Sequence, residues 1–389
     1  MVKLRFLLLA CGAALLWAAA PALSLTPYTP GAEDFSQPVP AVTKLDTRGA
    51  ASRAPDAEHA GEGPVKFISP VIDAPARFDL VGVAGEMRPL EYRARVEGEA
   101  WSEWVETANG DPVYFAGADE VQVRSRGVRP EGELFYVNVS GTSDPADRFL
   151  TGLREAVNSA FISAASVAVA EAQPVQPEVL PRAEWGANQN DGGCPPRTGP
   201  SYGEVRAAIV HHTVSANDYT PEEAPGIVLG ICRFHRNGNG WNDIGYNFLV
   251  DRFGTIYEGR AGGIAAAVVG AHTAGFNSQT FGASSIGTHT AFGITPEAKQ
   301  AFVDLIAWKL ALHGTIAAGK SRLISGGGES NKYPRGKKVY VKRVSGHRRL
   351  GLTACPGDAL KHQIKEIRRQ AQAKIEGHPP PPVPGRVSP

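Results

Sequence analysis

The stretch Ala207-Ala208-Ile209-Val210-His211-His212-Thr213 decides the reading of the chain: a short apolar strand that ends in two histidines. Side chains alternate faces along a strand, so only one of His211 and His212 can point into a shared cleft. Downstream, the segment from about Pro225 to Arg236 puts Ile227, Ile231 and Phe234 on one helical face. Tyr246, Phe248 and Val250 alternate into a turn at Asp251-Arg252-Phe253-Gly254, and Thr255 to Glu258 returns as a strand. Thr295-Pro296-Glu297 is a helix start with Gly314 as its stop. A last helix from about Asp358 to Glu376 carries Leu360, Ile364, Ile367, Ala371 and Ile375 as its apolar stripe. The expected fold class is α/β, a mixed central sheet flanked by helices.

Ahead of this unit the pattern changes. Over 65–140, Tyr92, Ala94 and Val96 alternate with Arg93 and Arg95, and Gly and Pro punctuate short runs, which predicts a small all-β domain. Trp101-Ser102-Glu103-Trp104 reads there as packing rather than as a carbohydrate platform. The remaining boundaries are a signal peptide over 1–24, a disordered lead over 25–64, a linker over 141–178 with an Ala-rich helical stretch from Asp147 to Ala172, the α/β domain over 179–377, and a Pro-rich tail over 378–389.

With 40 Lys plus Arg against 39 Asp plus Glu, no global charge calls for nucleic acid or an anionic membrane as partner. Lys3 and Arg5, an apolar run from Phe6 to Ala20, and small residues near Ala22-Leu23-Ser24 have the layout of a secretory signal. The run is interrupted by Pro21 and short for a membrane span, so no stable insertion is expected after signal removal; a lipoprotein through Cys11 is the weaker alternative. Export leaves Cys194, Cys232 and Cys355 in an oxidising compartment. Three is odd, so one cysteine has another task.

Gly346-His347-Arg348-Arg349-Leu350-Gly351-Leu352-Thr353-Ala354-Cys355-Pro356-Gly357 sets a His and a Cys eight positions apart. Alone, such a pair reads as a packed imidazole and a buried or bridged thiol. Yet Cys355 precedes the N-terminus of the last helix, where the dipole favours a thiolate, and a catalytic zinc needs three protein ligands with a fourth position open.

Six blocks in order now carry a resemblance: Arg182-Ala183-Glu184-Trp185-Gly186-Ala187, Ile209 to Thr213, Gly240-Trp241-Asn242-Asp243-Ile244-Gly245-Tyr246-Asn247-Phe248, Tyr257-Glu258-Gly259-Arg260, Gly270-Ala271-His272-Thr273, and the closing run from Gly346 to Gly357. They resemble the peptidoglycan recognition proteins and the related type 2 N-acetylmuramoyl-L-alanine amidases. The resemblance implies zinc held by His211, His347 and Cys355, catalytic roles for Tyr246 and Thr353, and substrate contacts by His272 and Asn277. It implies cleavage of the amide between N-acetylmuramic acid and L-alanine in bacterial peptidoglycan, with Tyr246 donating to the developing oxyanion and Thr353 positioning the water or the amide. His235 reads as a surface or capping residue and His212 as a support behind the site. Once Cys355 is given to the metal, Cys194 and Cys232 remain to form a disulfide.

Two other readings compete: a non-catalytic peptidoglycan-binding protein, and a metal-free cysteine hydrolase using Cys355 and His347. The sequence also departs from the family pattern. Arg349 stands where Asp often follows His-Arg, Ser285 to Thr290 is less apolar than expected, and Thr315 to Lys342 is a Gly-, Lys- and Ser-rich insertion.

Overall fold

The computed structural model describes residues 32–40, 64–107, 110–139, 174–189 and 191–377. The signal peptide, Cys11, the Ala-rich stretch and the Pro-rich tail lie outside these described residues.

The first unit is one antiparallel sheet of β1 (Glu33–Pro38), β2 (Phe67–Ile68), β3 (Ile72–Val83), β4 (Leu90–Arg95), β5 (Val105–Thr107), β6 (Val113–Ser125) and β7 (Glu133–Asn138). Its order is β1-β7-β3-β6-β4-β5, with β2 on β6. Phe78, Tyr92, Val121 and Tyr136 are among its buried core residues. Residues 33–38 were expected within a disordered lead; they instead pair in register with β7. An edge strand draws on the backbone bonds of its neighbour and needs little apolar pattern of its own. Here Phe35 stacks on Tyr136 at 5.1 Å and Gln37 donates to the Tyr136 hydroxyl at 2.7 Å, side-chain contacts that add to the ladder. Trp101 lies under Arg93 and Arg95, and Trp104 under Arg93 and Arg124, at 4.4–4.8 Å. These cation–π contacts make the tryptophans part of an arginine ladder on the sheet.

The second unit is a mixed sheet of β8 (Ala207–His212), β9 (Phe248–Val250), β10 (Ile256–Glu258), β11 (Thr280–Ser285) and β14 (Val344–Gly346), ordered β10-β9-β11-β8-β14. β8 lies between β11 and β14, parallel to both, while β10 returns antiparallel on β9. Helix α1 spans Ala224–Arg233, α2 Pro296–Leu312 and α3 Asp358–Ile375. Thr295 caps α2 by accepting from the Ala298 N–H at 3.1 Å. Ala208 and Val210 of β8 pack with residues of α2 and α3, whereas Ile209 packs with Leu323, Val339, Val341 and Leu350. The insertion is thus folded. β12 (Lys320–Ile324) pairs antiparallel with β13 (Lys338–Lys342), and its apolar side covers the face of β8 that carries Ile209.

The two units share one core. Leu80, Tyr114, Val137 and Val139 of the β unit cluster with Ile227, Leu229, Phe234 and Tyr246 of the α/β unit. Contact is close enough to demand glycine on both sides: a Cβ at Gly230 would sit 2.3 Å from Leu80 Cδ1, and one at Gly82 2.5 Å from Phe234 Cζ. Arg233 adds an ion pair to Asp34 at 2.7 Å.

Candidate metal centre

Alternation along β8 turns His211 away from the Ala208 and Val210 face, as the sequence requires of one member of the pair. β14 delivers His347 at the start of a 3₁₀ turn, and the chain returns to place Cys355 before α3. The helix start is tight: Gly357, at φ +82°, passes so near His289 that a Cβ would lie 2.2 Å from its carbonyl oxygen. Arg348 braces the same loop through Asp358, so a carboxylate at position 358 supports a block whose position 349 is Arg.

His211, His347 and Cys355 converge. Each offers a ligand atom, all within 4.8 Å of one another, and all three residues are buried. His211 Nδ1 lies 3.7 Å from Cys355 Sγ, which also accepts from the His212 N–H at 3.4 Å. His347 Nε2 is buried without a hydrogen-bond partner. Burial, then His347, hold His211 well below the usual histidine range, and burial brings His347 down to about 3. Burial likewise pushes the Cys355 thiol up. Burial thus disfavours charge on all three groups, and a cation held between them would offset that cost for the thiol. An unpartnered buried nitrogen beside a thiol costs stability unless something occupies the space between them. Two imidazoles and a sulfur suit a tetrahedral metal with one open position.

The surrounding cleft, about 180 Å³, is lined by His272, Thr273, Asn277, Tyr246, His235, Trp241 and His347, and also by Met87, Asp111 and Ser330. His272 Nδ1 lies 3.0 Å from His211 Nε2 and 3.0 Å from Thr273 Oγ1. Its ring fits because residue 282 is glycine; a Cβ there would meet the imidazole at 2.4 Å. Burial keeps His272 neutral, down to about 3. Asn277 Oδ1 accepts from the His272 and Thr273 backbone N–H groups at 3.0 and 2.8 Å, so its side chain shapes the His272 loop as well as lining the cleft. Thr353 Oγ1 accepts from the Cys355 N–H at 3.1 Å.

Tyr246 lies with its ring 5.3 Å from that of His211. Its hydroxyl donates to Asp111 Oδ1 at 2.8 Å. Burial, then the Asp111 carboxylate, push the phenol well above its ordinary range. His235 corrects the sequence reading: it is fully buried, stacked on Trp241 at 4.6 Å, and within 3.0 Å of Asp111 Oδ1. Its place at a helix end suggested solvent. The helix continues instead as a π-turn over Phe234–Gly238, which carries the ring inward under the β unit. Asp111, Met87 and Ser330 escaped the sequence reading because they belong to the other unit or to the insertion. No local pattern marks a residue whose neighbours come from another sheet.

Several quoted blocks brace the cleft rather than line it. Arg182 pairs with Asp243 at 3.1 Å, both buried, and donates to the Cys194 carbonyl at 2.7 Å. Cys194 is bonded to Cys232 of α1, so the disulfide ties this brace to the helix. Trp185 Nε1 donates to the Glu258 carbonyl at 2.8 Å. The insertion braces the other side, where Asn331 donates to the Ala274 carbonyl and Lys332 to that of Arg348, at 2.7 and 2.6 Å.

Residues 201–358 match the family described as N-acetylmuramoyl-L-alanine amidase. Peptidoglycan-recognition protein SC2 of Drosophila melanogaster is 30% identical over 189 residues, covering 48% of this chain and 84% of that protein. The N-acetylmuramoyl-L-alanine amidase of Mus musculus is 33% identical over 191 residues, which cover 49% of this chain and 30% of that protein. Among solved structures, the wild-type Drosophila PGRP-LB is similar at 26% identity, with a TM-score of 0.37 over 48% of this chain and 92% of that one. The chain belongs to the family of peptidoglycan-recognition proteins and N-acetylmuramoyl-L-alanine amidases.

Proposed function

We propose that the protein is an exported, zinc-dependent N-acetylmuramoyl-L-alanine amidase that hydrolyses the amide between N-acetylmuramic acid and the L-alanine of the stem peptide in bacterial peptidoglycan. The observation that carries this reading is the convergence of His211, His347 and Cys355 on one buried point beside an open cleft. Zinc bound there supplies a Lewis acid for the substrate carbonyl and lowers the pKa of water toward about 7.

The chain's own groups divide the remaining work. His211 presents Nδ1 toward Cys355, so its Nε2 carries the proton and gives it to His272 Nδ1, an orientation that fixes the ligating tautomer. Tyr246 has one hydroxyl proton and gives it to Asp111. Its oxygen therefore meets the cleft as an acceptor, suited to orienting the attacking water, in place of the oxyanion donor expected from sequence. Thr353 accepts from Cys355 and keeps its own proton for the carbonyl oxygen as charge develops there. His272 and Asn277 form the substrate wall beside them.

The cysteine-hydrolase reading fares poorly, because the imidazole nitrogen that meets the Cys355 thiol, at 3.7 Å, belongs to His211 rather than to His347. The reading as a binding protein without catalysis lacks a reason for two histidines, a thiol and Tyr246 to converge. Mass spectrometry of purified peptidoglycan treated with the full chain tests the proposal: free stem peptides beginning at L-alanine, together with peptide-free glycan, are expected. Products cut within the peptide or within the glycan would refute it.

A further inference from the structure

We propose that Asp111, supplied by the β unit, is a positioning residue of the cleft that acts through Tyr246, making the β unit a constituent of the catalytic centre rather than an appended binding module. The inference rests on the amidase reading above.

Asp111 Oδ1 gathers two donors from the other unit. Tyr246 gives its hydroxyl proton at 2.8 Å. His235 Nδ1 accepts from the Gly245 N–H at 3.2 Å, which leaves the proton on Nε2 to be donated to the same carboxylate oxygen at 3.0 Å. A phenol that donates to an ionised acceptor makes a charge-assisted bond and holds one orientation. Asp111 is itself held from both sides: its carbonyl accepts from Thr107 Oγ1 at 2.8 Å, and the preceding Gly110 carbonyl accepts from Asn239 Nδ2 at 2.6 Å. Asn239 Oδ1 completes the clasp by accepting from the Gly85 N–H at 3.0 Å.

A removable latch would show a weak, polar contact between the units. The contact here is a shared apolar core with glycine-level approach at Gly82 and Gly230. Asp111 therefore stays beside Tyr246 through turnover, and its effect is to fix the direction in which the phenolic oxygen faces the attacking water.

The test is a double-mutant cycle in the full chain, with zinc content measured for each variant. Asp111→Ala should lower kcat by about 10- to 100-fold, the worth of a hydrogen bond to a charged group, with KM changed less than about threefold. Asp111→Asn, which keeps an acceptor oxygen in place, should recover much of that loss. Adding Asp111→Ala to Tyr246→Phe should cost nothing further beyond about twofold, because the two act as one unit. A contact readout free of activity accompanies these: the Tyr246 hydroxyl proton, identified in the NMR spectrum by its absence from Tyr246→Phe, should be visible in the wild type and lost in Asp111→Ala. Wild-type turnover with Asp111→Ala equally active or faster would overturn the inference alone, as would full additivity in the cycle. A zinc-loaded wild type without turnover would overturn it together with the amidase reading.

Discussion

His211 Nε2 and His272 Nδ1 lie 3.0 Å apart, so the imidazole proposed to hold the metal is itself held by a second, neutral imidazole. Removing that support should loosen the ligand without removing it. His272→Ala should weaken zinc affinity by about 10- to 100-fold, the usual cost of losing an outer-shell partner, as read by competition with a chelator. An unchanged affinity would mean that His272 serves substrate alone.

Cys355→Ser should abolish zinc binding and, with it, activity, since an alcohol is a poor ligand beside two imidazoles. Tyr246→Phe should retain zinc and lower turnover by about 10²-fold, the scale of losing a group that positions a reactant. Elemental analysis of both variants separates the roles. If Tyr246→Phe loses metal and fold together, the residue belongs to the core and its catalytic assignment falls.

The Cys194–Cys232 bond closes a loop 38 residues apart in sequence. Loop entropy predicts that it contributes about 3–4 kcal/mol. Thiol titration of the denatured, metal-stripped and unreduced mature chain should find one thiol, that of Cys355, and denaturant melts under reducing conditions should show the loss. Three free thiols would contradict the pairing.

Phe234 is fully buried and meets Phe135 of the β unit at 5.8 Å between ring centroids. Phe234→Ala should cost about 3–5 kcal/mol in a chemical melt, as large aromatic truncations in cores do. Because it also loosens the surface that presents Asp111, turnover should fall more than zinc content. A loss under about 1 kcal/mol would show the two units to be only lightly joined.

Much of the α/β unit was legible because its strands and helices announce themselves by period and by caps. Val210 beside His211 encodes which face each takes, and Thr295-Pro296 encodes the start of α2. The metal candidates were legible for a different reason: few residue types bind zinc, and the chain sets them in a recognisable order. What stayed hidden depends on contacts between distant segments. The strand Glu33–Pro38 takes its structure from the edge of β7, and His235 takes its burial from a π-turn and a second unit. Asp111 becomes a neighbour of Tyr246 in the cleft only once Leu80 and Phe234 have docked the two cores.

The measurement that bears most directly on the account is zinc titration of the chelator-treated full chain, with release of stem peptide from purified peptidoglycan followed at each step. Activity should be absent without metal and return in proportion to zinc, reaching its limit at about one ion per chain, as expected for one three-ligand site. Full turnover by the metal-free protein would contradict it.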